Sequence, residues 1–229
     1  MNITITGANQ GIGLSLTKLY LSQGHKVYAI CRSDDNLVTL NANNNLAIIN
    51  NCDVRDEQNI QSIAEYFKNI KIDLLINNAG ILRDETLGAL NVQSINDQFQ
   101  TNALAPLLVT QSLLDSLITQ PENNSTLTKV IFITSRMGSI TDNTSGGRYG
   151  YRMSKVALNI AAKSMSVDLK SSNIAVGIIH PGLVGTQMIG GHGNVTPDEA
   201  AQMISSRIEG LDLNSSGTFL HANGEVLPW

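Results

Sequence analysis

The sequence predicts an α/β protein of one domain, residues 1–229, built on a doubly wound, mostly parallel sheet of about seven strands with helices on both faces. Three observations predict it. Short apolar runs alternate along the whole chain with longer segments of helical periodicity. Most of these runs are continuous rather than alternating, as expected of parallel strands covered on both faces. No internal repeat and no linker long enough to separate two domains interrupts the alternation.

The strands read as Ile3–Thr6, Lys26–Cys31, Leu46–Asn50, Ile72–Ile76, Lys129–Thr134, Ile174–Ile179 and Thr218–His221. Between them the helices fall at about 12–23, 56–69, 93–119, 149–170 and 197–209. Met1 leads straight into the first strand, without the charged start and longer apolar stretch of a secretory signal. The sequons at Asn124 and Asn194 are therefore read as chance matches. The asparagine run 41–45 and the segment Pro121–Thr128 read as surface turns, and Thr141–Gly150 as a loop. Thr196 is the expected N-cap of the last helix, with Pro197 at its first position.

Charge narrows the classes. The net charge is −4 and only 15% of residues are charged, against 42% apolar. That balance excludes a disordered chain and argues against a nucleic-acid partner. No apolar run reaches the ~20 residues needed to span a bilayer, so no membrane partner is expected. Two cysteines are too few for a disulfide scaffold and read as reduced thiols of a cytoplasmic protein. His25, His180, His192 and His221 show no metal-ligand spacing with them, so no metal is expected.

The first strand ends in Thr6-Gly7-Ala8-Asn9-Gln10-Gly11-Ile12-Gly13, and a helix follows at once. Glycines let the backbone turn tightly and approach a ligand. The helix terminus behind them offers free N–H groups and a positive dipole to a pyrophosphate. Gly7, Asn9, Gln10, Gly11, Ile12 and Gly13 are thus candidate dinucleotide-binding residues; a plain strand–helix turn is the alternative. The second strand then bears on which dinucleotide is used. An NAD site usually carries a carboxylate at that strand's end, for the ribose 2′-hydroxyl. Here the position is the neutral Cys31, followed by Arg32, which suits a 2′-phosphate. NADP (NADPH) is the preferred cofactor, with NAD possible. Asp34 and Asp35 lie in the following turn, where a solvated or capping role is expected.

The fifth strand ends in Thr134-Ser135, and the next helix carries Tyr151 and Lys155 at i and i+4, on one face. A tyrosine, with a reference pKa of ~10, becomes useful for acid–base work when a cation stabilises its phenolate. Tyr149 is the rival, but its i+4 partner is Met153.

Together with Asp53-Val54, Asn77-Asn78-Ala79-Gly80, Asn102 and His180-Pro181-Gly182-Leu183-Val184-Gly185-Thr186, these markers resemble the short-chain dehydrogenase/reductase family over essentially the whole chain. The stretch Asn143–Lys155 and the ending Gly224–Trp229 resemble the C-factor and sniffer-like carbonyl reductases within it. The resemblance implies a Rossmann fold and a catalytic set of Ser135, Tyr151, Lys155 and Asn102. Tyr151 would be the acid–base group and Ser135 would polarise the substrate oxygen. Lys155 would hold the nicotinamide ribose and depress the Tyr151 pKa. Asn102 would hold a water linking Lys155 to solvent. It further implies that Asp53 accepts from the adenine amino group, unless it caps the 56–69 helix, and that Val54 lies beside the ring. Asn78, Ala79 and Gly80 would pass beside the cofactor, and Pro181, Gly182, Val184 and Thr186 would pack on and hydrogen-bond the nicotinamide. The implied activity is NADP(H)-dependent interconversion of a carbonyl and an alcohol on a small-molecule substrate. A dinucleotide-binding regulatory protein with little turnover is the alternative, and an NAD-linked dehydrogenase a third reading.

Departures from the family pattern carry further expectations. Gln10 stands where NADP-using relatives often carry Arg or Lys. Arg136, Arg148 and Arg152 cluster around the gap between Ser135 and Tyr151, either to favour an anionic substrate or as a solvated loop. The short, glycine-rich 187–195 segment predicts an open, mobile site. Cys31 ends the second strand and Cys52 follows the third, its neighbour, so the two thiols are expected near each other at the adenosine end. The apolar stretch 156–162 predicts pairing with the 93–119 helix across a two-fold axis, giving a homodimer or homotetramer.

Overall fold

The computed structural model describes residues 1–40, 44–118 and 127–229. Parts of the expected turns at 41–45 and 121–128, the last residue of the expected 93–119 helix and the sequon at Asn124 lie outside the described residues.

Seven strands form one sheet: β1 (Asn2–Thr6), β2 (Lys26–Ile30), β3 (Leu46–Ile49), β4 (Leu74–Asn77), β5 (Thr128–Ile133), β6 (Ile174–His180) and β7 (Phe219–His221). Their order is β3-β2-β1-β4-β5-β6-β7, and every pair is parallel. The fold is the expected Rossmann arrangement, with a wholly parallel sheet. Helices α1 (Gly11–Ser22) and α7 (Pro197–Glu209) cover one face, where Ile5, Leu16, Ile131 and Ile204 are buried. On the other face α2 (Glu57–Phe67), α4 (Ala105–Ser112) and α6 (Tyr149–Asp168) bury Phe67, Val109, Phe132 and Leu158. Each such side chain contributes roughly 1.5–3 kcal/mol by leaving water. Burial on both faces is why the strands read as continuous apolar runs. After β3 the chain crosses to the far side of β1, so the connections leaving β1 and β4 diverge and open a crevice at their carboxyl ends.

The single helix expected over 93–119 is broken. α3 (Val92–Phe99) passes into a π-helical turn at Gln100–Leu104, then α4, then the short α5 (Leu114–Leu117). Pro106 has no N–H to give the carbonyl of Asn102, so a regular α-helix cannot run through this point. Asp56, not Asp53, caps α2, accepting from the amides of Gln58 (2.8 Å) and Asn59 (3.3 Å). At α7 the expected Thr196 cap is present as a full capping box with Glu199. No described helix is long and apolar enough to cross a membrane.

Candidate active site

The crevice is a cleft of about 820 Å³ running from the end of β2 to the start of α6. At its first end, Asn78 locks the glycine loop onto the sheet. Its amide donates to Thr6 Oγ1 at 3.0 Å, and its Nδ2 to the carbonyls of Thr6 (3.0 Å) and Gly7 (3.1 Å). Gln10 enters α1 in an extended conformation and contributes no side-chain cap. The first-turn N–H groups of α1 therefore remain available to an anion. This uncapped terminus, with Gly7, Asn9, Gln10, Gly11 and Ile12 lining the cleft, fits a dinucleotide pyrophosphate. Gly13, in the first turn of α1, does not itself line the cleft. A β-carbon there would collide with the Gly7 carbonyl oxygen, so this glycine serves the close packing of loop on helix.

Arg32 lines the cleft and is exposed. Asp34 and Asp35 turn away, bound by Asn50 Nδ2 (3.1 Å) and Ser33 Oγ (2.6 Å). Asp53 and Val54 line the same end, but Asp53 is already engaged by Arg55 at 2.6 Å. Arg55 hydrogen bonds hold its carboxyl below the usual range, and Arg32 adds to this. Arg55 and Asn36, which donates to the Asn9 carbonyl at 3.0 Å, also line this end and were not singled out from sequence. The Asp-x-Arg spacing was the signal for Arg55. Cys31 and Cys52 are neighbours as expected, the Cys52 amide donating to the Cys31 carbonyl at 3.0 Å. Burial, with nearby carboxylates, pushes both thiols up to about 11.

At the other end, Ser135, Tyr151 and Lys155 meet on the same cleft, with Pro181, Gly182, Val184 and Thr186 forming its wall. Tyr149 lies elsewhere, in a shallow groove with Met153. The turn carrying Ser135 is tied to α6 through Asn159, which accepts from Thr134 Oγ1 at 2.6 Å and donates to the Gly138 carbonyl at 3.1 Å. Lys155 is buried, with Nζ 3.0 Å from the Ile133 carbonyl it donates to and 5.7 Å from the Tyr151 ring centre. Burial pulls its pKa down to about 8. The Tyr151 pKa is raised by burial, with Ser135 and Arg148 pulling it back.

Asn102 does not line the cleft. The π turn aims its side chain at the strand extension beyond β4, where it pairs with both the N–H and C=O of Ile81 at 2.8 Å. Its Nδ2 also donates to Ser154 Oγ at 3.0 Å, and Ser154 bonds the Tyr151 carbonyl. Asn102 Oδ1 and Lys155 Nζ converge on Gly80, where a β-carbon would lie 3.2 and 3.8 Å from them. Ala79 and Gly80 line the cleft between its two ends.

Two further residues had no site role in the sequence reading. Glu85 is 3% exposed and inserts its carboxylate at the start of α6. It accepts from Ser94 Oγ (2.7 Å), Gln98 Nε2 (2.6 Å) and the Gly150 amide (3.2 Å). A lone glutamate in a loop gave no signal of this. His180, read as part of a turn, lines the cleft with Nδ1 lacking a hydrogen-bond partner among the described residues. Burial and then His221, 4.9 Å away, push its pKa down to about 3, so the ring is neutral.

A parallel sheet with a glycine loop at one end of its crevice and a Ser–Tyr–Lys set at the other is the arrangement of a family of oxidoreductases. A sequence model of the short chain dehydrogenase family matches residues 1–194, and the chain belongs to that family. It is 39% identical over 159 residues to the C-signal of Myxococcus xanthus, covering 69% of this chain and 93% of that one. Among solved structures it resembles the NADPH-bound carbonyl reductase from chicken fatty liver, with a TM-score of 0.90 and 31% identity over 100% of this chain and 98% of that one. It equally resembles the carbonyl reductase Sniffer of D. melanogaster, with a TM-score of 0.91 and 31% identity over 100% and 99%. The expected C-factor and sniffer-like resemblance therefore holds in both sequence and fold.

Proposed function

We propose that this protein is an NADP(H)-dependent oxidoreductase interconverting a small-molecule carbonyl compound and its alcohol, with Tyr151 as the acid–base group. One observation carries the reading: Ser135, Tyr151 and Lys155 converge on a cleft whose other end holds an uncapped helix terminus and Arg32. NADP(H), when bound, supplies or accepts the hydride at the substrate carbon. Burial keeps the Tyr151 phenol protonated at neutral pH, the form that gives a proton to the substrate oxygen in reduction. Ser135 donates to the same oxygen and fixes its direction. Lys155 holds the nicotinamide ribose and sets its charge beside the phenol, favouring phenolate when the reaction runs backwards. Asn102 acts as a positioning residue, joining the Gly80 segment to α6.

At the other end, Arg32 takes the 2′-phosphate, Asp53 and Val54 flank the adenine, and Asn78, Ala79 and Gly80 pass beside the cofactor. The wall from Pro181 to Thr186 holds the nicotinamide. No carboxylate of the β2–β3 turn lines the cleft among the described residues, which supports NADP over NAD. The NADPH-bound carbonyl reductase supports the same choice. Exposed Met153, Ile160 and Val167, seven residues apart along α6, support assembly as a homodimer or homotetramer through that helix.

The similarity to C-signal favours a second reading, a dinucleotide-binding regulator. NADPH oxidation with a panel of aldehydes, ketones and quinones, beside NADPH binding by fluorescence, separates the two. Turnover supports the oxidoreductase, binding without turnover supports the regulator, and absence of NADPH binding overturns both.

A further inference from the structure

Three arginines flank the catalytic set, and the structure divides them. Arg152 faces away from the cleft and ties down the loop before α6. Its guanidinium donates to the carbonyls of Gly146 and Gly147 and to Ser145 Oγ at 2.8–3.3 Å. Arg136 and Arg148 line the cleft itself. Among the described residues the lining of the catalytic end includes Arg136, Arg148 and Lys155 and no carboxylate, Arg83 lines the cleft nearby, and Arg136 is paired through Nε with Asp142 at 2.8 Å just outside the lining. The carboxylates lining the cleft, Asp53 and Asp97, lie towards Arg55.

Arg148 is held in place by its own backbone. It adopts φ 51° and ψ 47°, the third successive left-handed residue after Gly146 and Gly147. A side chain is disfavoured there, and the two preceding positions avoid one. Its amide donates to the Glu85 carbonyl at 2.8 Å. Its Nε donates to Asp84 at 2.6 Å, and Nη1 lies 4.0 Å from Met137 Sδ, on the turn that carries Arg136. The guanidinium thus spans from the start of α6 towards that turn, past Tyr151. Asp84 is largely exposed and pairs through Nε alone, so the pair is a weak one and other N–H groups of the guanidinium stay available to an anion. The Glu85 carboxylate is occupied by Ser94, Gln98 and Gly150.

We propose that Arg148, flanked by Arg136, is the specificity-determining cation of this site and selects carbonyl substrates that also carry a carboxylate. This rests on the oxidoreductase reading and adds the substrate class. Among the described residues Asp142 and Asp84 pair with Arg136 and Arg148 through Nε alone, which leaves the outer N–H groups of both guanidiniums for a substrate anion. A carboxylate takes up the paired N–H groups that Asp84 does not use.

The test compares benzaldehyde with 4-carboxybenzaldehyde in NADPH oxidation. The wild-type protein prefers the carboxylated aldehyde, and added salt weakens the preference. Arg148→Gly, which suits the left-handed backbone, lowers kcat/KM for 4-carboxybenzaldehyde about 10–100-fold more than for benzaldehyde, the difference falling mainly on KM. Arg148→Lys keeps part of the preference. Asp84→Ala keeps or increases it, whereas a purely structural role for the ion pair predicts the same damage as Arg148→Gly. The readout is also taken without turnover, as calorimetric binding of both aldehydes to the Tyr151→Phe protein with NADPH. Equal preference in the wild type, equal loss on both aldehydes, or binding independent of Arg148 overturns the proposal. Loss of turnover with Arg148-dependent binding retained instead overturns the oxidoreductase reading.

Discussion

The two ends of the cleft are built in opposite ways. The adenosine end uses main chain and exposed charge: a glycine loop, an open helix terminus, and Arg32, Asp53 and Arg55 close to solvent. The catalytic end is built on buried side chains, Lys155 and Glu85 being 5% and 3% exposed and Asn102 fully enclosed, with the half-exposed Arg136 and Arg148 beside them. Exposed charges are screened and modest in effect, whereas buried ones must be paired or shifted in pKa. A change at the catalytic end is therefore expected to alter both chemistry and stability, and one at the adenosine end to alter affinity alone.

The largest effect breaks the catalytic end directly. Tyr151→Phe loses roughly 10²–10⁴-fold in turnover while NADPH affinity is retained; a fully active variant would sink the assignment. Next comes Glu85→Ala, which strands the Gly150 amide, Gln98 and Ser94 in a buried place. It costs about 2–4 kcal/mol in urea unfolding, and an unchanged midpoint would remove Glu85 as the clamp of α6. At the adenosine end, Arg32→Ala weakens NADPH by about tenfold, leaves NADH unchanged and does not move the urea midpoint. Equal loss of both dinucleotides would place Arg32 away from the 2′-phosphate.

The smallest effect sharpens the comparison through pH. Burying the Lys155 ammonium costs on the order of 3 kcal/mol, offset in part by its bond to Ile133. Lys155→Met is accordingly inactive yet more stable, by about 1 kcal/mol without cofactor. The folded pKa is depressed from 10.5 to about 8, so the penalty is present below about 8 and is lost as pH rises towards 10.5. A stability gain that persists above that window would contradict this account.

Legibility followed the same division. The glycine loop, Arg32, Ser135, Tyr151 and Lys155 were readable because fixed spacing on one strand end or one helix face carries the geometry. The packing of Gly13 against its own loop was not readable, because spacing does not show what a glycine faces. The 93–119 segment read as one helix because its apolar periodicity outlasts Pro106. Glu85 was invisible, since its partners Ser94, Gln98 and Gly150 are brought to it from α3 and α6. The three arginines near Ser135 looked alike until packing turned Arg152 outward and the other two into the cleft.

The sequence by itself determined the parallel sheet, the dinucleotide loop and the Tyr–Lys pair, because each is written in local periodicity and short spacing. Tertiary structure alone decided which buried groups hold that pair in place, which cations line the cleft, and that burial raises the Tyr151 pKa and lowers that of Lys155. These depend on contacts between distant segments and on exclusion of water, and neither is a property of any stretch of chain taken alone.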